Sequence, residues 1–343
     1  MRILLVAVFC LICSLANAQQ KSSFQVLFWN VENLFDVEND TLKNDEDFLP
    51  NSLKHWNGYR YYQKLQQLSK AIIASGEWNP PALIGLCEVE NDSVLYDLVH
   101  RTGLRNLDYR YVVTHSDDFR GIDVALLYQP DLFKLIATES IPVGELPVGK
   151  RATRDLLHIV GQVVSGDTLD LFIAHLPSRF GGAKQSEPNR IHVSKVLRAK
   201  ADSILTNRMF PKVIIMGDFN DYPKNTSISK ILSVQNPNDK IVDRNYLYHM
   251  LAFSADHKRC RGTYKYKNSW DILDHLIVSG GLLDDSSSCH TASKEARIVN
   301  LPFLLIKDEK FGGLKPFRTY NGMHYLGGFS DHLPIILELE LTY

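Results

Sequence analysis

The chain has little cysteine, and none of it is spaced for metal. Of the five cysteines, Cys10 and Cys13 fall in an apolar N-terminal run, and Cys87, Cys260 and Cys289 show no zinc-type spacing. A Cys260–Cys289 bridge is allowed in an exported chain, while Cys87 sits in an apolar stretch and reads as a buried thiol. Charge of one sign is lacking too. Lys and Arg number 38 and Asp and Glu 39, a formal net charge of −1. A protein held on nucleic acid by bulk charge is basic, so a phosphate-rich substrate would have to be met by a local patch. There is no internal repeat, no low-complexity tract and no linker-like composition that would split the chain. Beyond the N-terminus, no run is long and apolar enough to cross a bilayer.

What is present begins with Arg2, the apolar run Ile3–Leu15 and Ala16-Asn17-Ala18. A basic start, a short apolar stretch and a small-x-small site predict a secretory signal peptide. The run is too short for an ordinary transmembrane anchor, and the residues before Cys10 and Cys13 make a poor lipoprotein site. The expected organisation is a signal peptide over 1–18 and one domain over 19–343. The product is expected to be exported, periplasmic or secreted, monomeric, and without stable membrane insertion.

Along that domain, β-prone segments dominate. Phe24–Trp29, Ala82–Cys87, Tyr109–Thr114, Ile122–Tyr128, Leu156–Val164, Leu169–Ala174, Val213–Met216, Ile272–Val278 and Leu333–Leu341 read as strands. Tyr61–Ala74, Val94–His100 and Asn189–Leu205 carry helical spacing. Asn225–Arg261 and the stretch Gly280–Gly328 read as irregular. Strands outnumber helices, and long helices fall between strands, which fits two β-sheets covered by helices.

The telling regularity is where the strands end. Phe24–Trp29 runs into Asn30, with Glu32 and Asn33 close behind. Ala82–Cys87 ends in Glu88, Leu169–Ala174 in His175, and Val213–Met216 leads to Asp218 and Asn220. Asp271, Asp274 and His275 enter one later strand, and Asp331-His332 precedes the last. If these ends converge, the site is rich in carboxylate, carboxamide and imidazole. Oxygen ligands of that kind suit Mg²⁺, with Mn²⁺ or Ca²⁺ as alternatives, rather than zinc. Such an ion polarises a phosphoryl group, an aspartate can activate water, and a histidine held by a second aspartate can stabilise or protonate oxygen.

FWNVENLF at Phe28–Phe35, LCEVEN at Leu86–Asn91, GIDVALLY at Gly121–Tyr128, IAHLPSR at Ile173–Arg179, MGDFND at Met216–Asp221, LDHLIVS at Leu273–Ser279 and FSDHLPI at Phe329–Ile335 occur in this order. Together they resemble the endonuclease/exonuclease/phosphatase superfamily, which has the DNase I-like fold. The resemblance implies an α+β, four-layer α/β/β/α sandwich with two packed, mainly antiparallel sheets. It implies metal roles for Asn30, Glu88 and Asp331, and water activation by Asp218. Asn220 would position the phosphate, Asp274 orient His332, and His332 act on the scissile phosphate. His175 would be the acid for the leaving oxygen, and Arg154 a phosphate-binding arginine.

Other polar residues keep two readings. Asp218 and Asn220 alone could be turn residues. Arg179, Lys184 and Arg190 are either a solvated helix start or a phosphate-binding rim, and Arg120 is equally open. His275 faces away from Asp274 and reads as structural; Asp271 reads as a cap. The expected function is metal-dependent phosphoester hydrolysis, most favourably of DNA or RNA. A phosphatase or phosphodiesterase on lipid headgroups or small phosphates is the alternative. A catalytically silent binding protein is a third reading, opposed by the full set of catalytic-type residues. A calcineurin-type metallophosphatase would need a Gly-Asn-His string, which is missing.

Overall fold

The computed structural model describes residues 20–238, 242–251, 262–291 and 296–343. The expected signal peptide and Cys260 lie outside them, and with Cys260 the question of a bridge to the buried Cys289.

Chain order is β1 (Lys21–Leu34), α1 (Gly58–Ser75), β2 (Leu83–Val89), α2 (Asp92–His100), β3 (Arg110–Val113), β4 (Asp123–Tyr128), β5 (Phe133–Ile141), β6 (Leu156–Val163), β7 (Thr168–His175), α3 (Ala183–Asn207) and β8 (Val213–Asp218). There follow β9 (Leu247–His249), the hairpin β10 (Tyr264–Tyr266) and β11 (Ser269–Asp271), and β12 (Asp274–Ser279). Short strands fill the stretch expected to be irregular: β13 (Cys289–His290), β14 (Arg297–Ile298), β15 (Leu305–Lys307), β16 (Leu314–Pro316), β17 (Tyr320–Asn321) and β18 (His324–Tyr325). The last strand is β19 (Ile335–Thr342).

Among the described residues two large sheets form, beside three two-stranded ribbons. One runs β13-β19-β1-β2-β4-β3, with β14 also on β19; the other runs β5-β6-β7-β8-β12-β9. Within each large sheet one strand pair of the described residues is parallel, β1 with β2 and β7 with β8. These central strands are apolar on both faces, because both faces are covered. Phe24, Val26 and Phe28 point between the sheets and meet Ile214, Met216, Leu171 and Leu276. The alternate residues Leu27, Trp29 and Val31 point outward against Leu65, Leu68 and Ile72 of α1 and Leu95 and Leu98 of α2. On the other sheet Phe172, Ala174 and Ile215 pack against Val193, Leu197 and Ala201 of α3. The result is the expected four-layer α/β/β/α sandwich.

Helix α1 starts where the Asn57 side chain accepts from the Arg60 N–H, and it stops at Gly76. Helix α3 begins six residues before the predicted Asn189, carrying Pro188 within it. Gly217 has no substitute in β8, since a Cβ there would sit 2.2 Å from the Ala174 carbonyl oxygen. That close approach keeps β7 and β8 in parallel register, with His175 opposite Asp218. On the other side of β8, Asp274 lies opposite the same Asp218.

Candidate active site

Two bulges aim the first carboxylate. The β1–β2 pairing shifts register between Asn30 and Leu34, and the β2–β4 pairing shifts between Cys87 and Val89. Glu32, Asn33 and Glu88 adopt positive φ of 52°, 55° and 63° there. Such conformations are costly for residues with side chains and gather at functional sites, and bulges re-aim side chains. Here they turn the Asn33 N–H onto Glu88 Oε2 at 2.9 Å. The Asn30 carboxamide braces the other oxygen. Its Nδ2 donates to Glu88 Oε1 at 3.2 Å and to Asp218 Oδ2 at 3.0 Å.

The orientation of Asn30 is set by its own oxygen, which accepts from the Glu32 N–H at 3.0 Å. Asn30 was expected to help hold the metal or its water shell. Its oxygen is committed to the backbone, and its Nδ2 joins two carboxylates.

Asp218 is 2% exposed. Its Oδ1 accepts from the Asn220 N–H at 2.9 Å, and Asn220 itself sits at φ 51°. Burial, and the like charge of Asp274, push the Asp218 carboxyl up to about 7, although the nearby His332 pulls it the other way. His332 Nδ1 lies 2.7 Å from Asp274 Oδ2, and its Nε2 lies 3.7 Å from Asp218 Oδ2. Burial alone would lower the His332 imidazole; Asp274 and Asp218 outweigh it and hold the ring protonated, well above its usual range. The backbone of His332 is fixed by Trp29, whose indole N–H donates to its carbonyl.

His175 Nε2 stands 3.8 Å from Asp218 and 3.9 Å from Glu88. Burial, then the charges of Arg154 and Arg120, hold this imidazole well below its ordinary value, so it is neutral. That sets it apart from His332 and weakens the expectation that His175 supplies the leaving-group proton.

Glu88, His175, Asp218, Asn220, Asp331 and His332 open on one pocket of about 570 Å³, whose wall also carries Arg120, Arg179, Tyr222, Tyr264, Tyr266 and Asp271. Arg179 is at the rim. Its Nε donates to the Asn220 carbonyl at 2.6 Å and its guanidinium lies 3.9 Å from the Tyr222 ring centroid. Arg154 is placed differently from the sequence expectation. It is buried behind the wall, where its guanidinium donates to Asp118 at 3.1 Å and to the Leu176 carbonyl at 2.8 Å. It braces the loop after β7, and the arginine that reaches the pocket is Arg120. Arg190 is buried against Asp221 at 2.7 Å, and Lys184 is exposed. His275 is structural as expected, bonded to the Asp221 carbonyl and to His249.

One part of the site carried a signal that went unread. Lys64 lies on the apolar face of α1 with Tyr61, Leu65 and Leu68, fully buried. Its Nζ donates to Thr319 Oγ1 at 2.6 Å, and burial lowers it to about 8. Glu32 joins the same cluster. It accepts from the Thr319 N–H at 2.6 Å and from Arg318 at 3.2 Å. Arg318 in turn reaches Asp331 at 3.0 Å. A lysine on a core-facing helix stripe is the clue, since it needs a buried partner.

The donor chemistry fits a divalent cation. Asp218, Asp274 and His332 offer ligand atoms within 4.8 Å of one another. Asp274 and His332, however, spend their facing atoms on each other. Glu88 and Asp218, brought onto one carboxamide, are the better oxygen pair, with Asp331 at the rim. No helix among the described residues is long and apolar enough to cross a membrane.

Comparison with known proteins agrees with this geometry. The model of the endonuclease/exonuclease/phosphatase family matches residues 25–341. No curated protein matches the sequence. Among solved structures, the chain resembles an endonuclease/exonuclease/phosphatase family protein from Bacteroides thetaiotaomicron at 18% identity, covering 94% of this chain and 99% of that one, with a TM-score of 0.56. It also resembles D. rerio TDP2 complexed with a single-strand DNA product (16% identity, 93% and 99% covered, TM-score 0.57). A third is the B. thetaiotaomicron mannosyl-6-phosphatase (17% identity, 92% and 99% covered, TM-score 0.55). At such identities the likeness is one of fold. The activity the family supports is metal-dependent phosphoester hydrolysis, and the chain belongs to the endonuclease/exonuclease/phosphatase family.

Proposed function

We propose that the protein is an exported, divalent-cation-dependent nuclease that hydrolyses phosphodiester bonds of DNA or RNA. The observation that carries the reading is the meeting of Glu88, Asp218 and the Asp274–His332 pair at one pocket. Glu88 and Asp218 would hold a Mg²⁺, Mn²⁺ or Ca²⁺ ion, assisted by Asp331; bound there, it would polarise the phosphoryl oxygens. The protein's own groups do the rest. Asp218 orients water and takes its proton. Asn220 and Arg179 border the phosphate position. His332, kept cationic by Asp274, stabilises developing negative charge and is a better proton source for the leaving oxygen than the neutral His175. His175 offers a neutral hydrogen-bonding edge beside both carboxylates.

A second reading, hydrolysis of small phosphorylated molecules, is favoured by Asp271. This carboxylate lines the pocket and accepts from the Tyr222 hydroxyl at 3.1 Å, a setting that also suits sugar hydroxyls. The test is a panel of plasmid DNA, RNA, sphingomyelin and inositol and sugar phosphates with each cation, run beside Asp218→Ala and His332→Ala. The proposal expects turnover of nucleic acid that both variants lose. Turnover confined to a phosphomonoester selects the second reading; turnover of nothing on the panel overturns both.

A further inference from the structure

The pocket wall carries a feature that cleavage chemistry does not explain. Two aromatic rings of its lining stay partly in water: Tyr266 is 59% exposed and Tyr222 36%. Exposed rings scattered singly over a surface are ordinary, but a group of them beside one cleft marks a binding surface. Tyr264 lines the same pocket. Positive charge is interleaved with the rings. Arg179 stacks on Tyr222 at 3.9 Å, and the Lys267 ammonium lies 5.3 Å from the Tyr266 centroid. Arg120 faces the same space.

These rings are tied to the reactive centre. The β10–β11 hairpin that presents Tyr266 also presents Tyr264, whose backbone pairs with His332 and whose ring lies 4.9 Å from the imidazole. The platform therefore begins at the catalytic histidine and leads outward to Tyr266. The catalytic groups lie deep: Asp218, His175 and His332 are 2%, 3% and 6% exposed. A phosphate must come into a recess to meet them, and its neighbours must turn along the wall.

We infer that this aromatic rim binds unpaired bases, so that the substrate is single-stranded nucleic acid, gripped by stacking more than by charge. The inference rests on the nuclease reading and names its substrate class. Alternating rings and cations meet the alternating bases and phosphates of a single strand. A duplex hides its base faces and would need an extended basic surface. The balance of 38 basic against 39 acidic residues supplies no excess for one. Binding should accordingly be only mildly salt-sensitive. Two phosphate contacts, from Arg120 and Arg179, give a slope of log K against log salt of about −1.4.

The test separates binding from turnover. In full-length Asp218→Asn protein, fluorescence anisotropy is read with a labelled oligothymidylate, an abasic oligomer of equal length and a duplex of equal length. The thymidylate should bind roughly tenfold or more tightly than the abasic chain and more tightly than the duplex. Tyr222→Ala and Tyr266→Ala, added singly, should each weaken thymidylate binding roughly 5- to 150-fold. Both should leave abasic binding unaltered and the melting temperature of the parent unchanged. Equal affinity for thymidylate and abasic chains, a preference for duplex, or full affinity in both variants overturns the inference. Hydrolysis of bis(p-nitrophenyl) phosphate by the wild type reads the reaction separately: its loss would count against the nuclease reading, and the anisotropy would still decide the rim.

Discussion

The two sheets contribute to the pocket in different ways. Each has one parallel pair among the described residues, and both pairs deliver polar residues at their C-terminal ends. The β1–β2 end delivers Asn30 and Glu88 through bulged, left-handed backbone. The β7–β8 end delivers His175 and Asp218 through regular register, with Asp274 added from β12. The first end would hold the proposed cation: its carboxylate is pinned by a backbone N–H and a carboxamide. The second would handle protons: it carries Asp218, pushed up to about 7, and the neutral His175, and it meets the cationic His332 that the segment before β19 brings from the first sheet. Two bonds cross between them, from Asn30 to Asp218 and from His332 to Asp274. Left-handed backbone occurs at both ends, at Glu32, Asn33 and Glu88 on the first and at Asn220 just beyond β8 on the second, and in each it turns an N–H onto a carboxylate.

The sharpest way to break this division is on the proton side. Asp218→Ala and His332→Ala should each lower kcat roughly 10²- to 10⁴-fold, with Asp274→Asn close behind, because an asparagine cannot hold the imidazole cationic. A loss seen only in KM would contradict the assignment. Next in size is the buried lysine behind the cation side. Lys64→Met leaves the Thr319 hydroxyl and the Phe329 carbonyl without their donor and removes a charge that acts on Glu32; it should destabilise the fold by about 2 kcal/mol, read by urea unfolding. The double variant Lys64→Met with Glu32→Gln should recover part of that loss.

Asn30→Ala separates bracing from ligation. If Asn30 only holds the two carboxylates, the variant should bind the cation 10- to 100-fold more weakly and keep kcat once the cation saturates. A kcat that stays low at saturation would return Asn30 to the ligand set.

The smallest effect concerns pH. The folded Asp218 carboxyl binds its proton up to about 7, against an ordinary value of 3.8. Between those values the folded state holds a proton that the unfolded chain has released, so this group's contribution to stability falls as pH rises through the window. Asp218→Asn has no such proton to lose. In EDTA its stability relative to wild type should therefore grow from pH 4 to pH 7 by roughly 1 kcal/mol or more and then level off. Activity should run the opposite way, its rising limb reporting Asp218 deprotonation at or below pH 7, because a bound cation favours the carboxylate. A relative stability that is flat with pH would show that Asp218 is not held protonated.

The strand ends were legible because buried apolar runs stopping at a carboxylate, carboxamide or imidazole are visible at the level of residue type. Glu88, His175 and Asp218 come to the pocket from such stops, and His332 from the residues before the last strand. Strand β5 was missed because it is an edge strand exposed along most of its length, so no alternation marks it. The start of α3 was missed because Pro188 masks a helix that had already begun. Asn30 and Arg154 show the deeper limit. Residue type identifies a group able to ligate or to grip phosphate, but which atom is already committed depends on the folded backbone and on distant partners. The Glu32 N–H two residues on settles Asn30, and Asp118, 36 residues away, settles Arg154.

The account depends most on Glu88 and Asp218 forming a cation site that is required for turnover. The direct measurement is hydrolysis of single-stranded DNA in Mg²⁺ or Mn²⁺, before and after EDTA, for wild type and Glu88→Gln. Wild-type activity should vanish with EDTA and return with the cation, and Glu88→Gln should stay inactive at ordinary cation concentrations. Full activity in EDTA, or in Glu88→Gln, would contradict it.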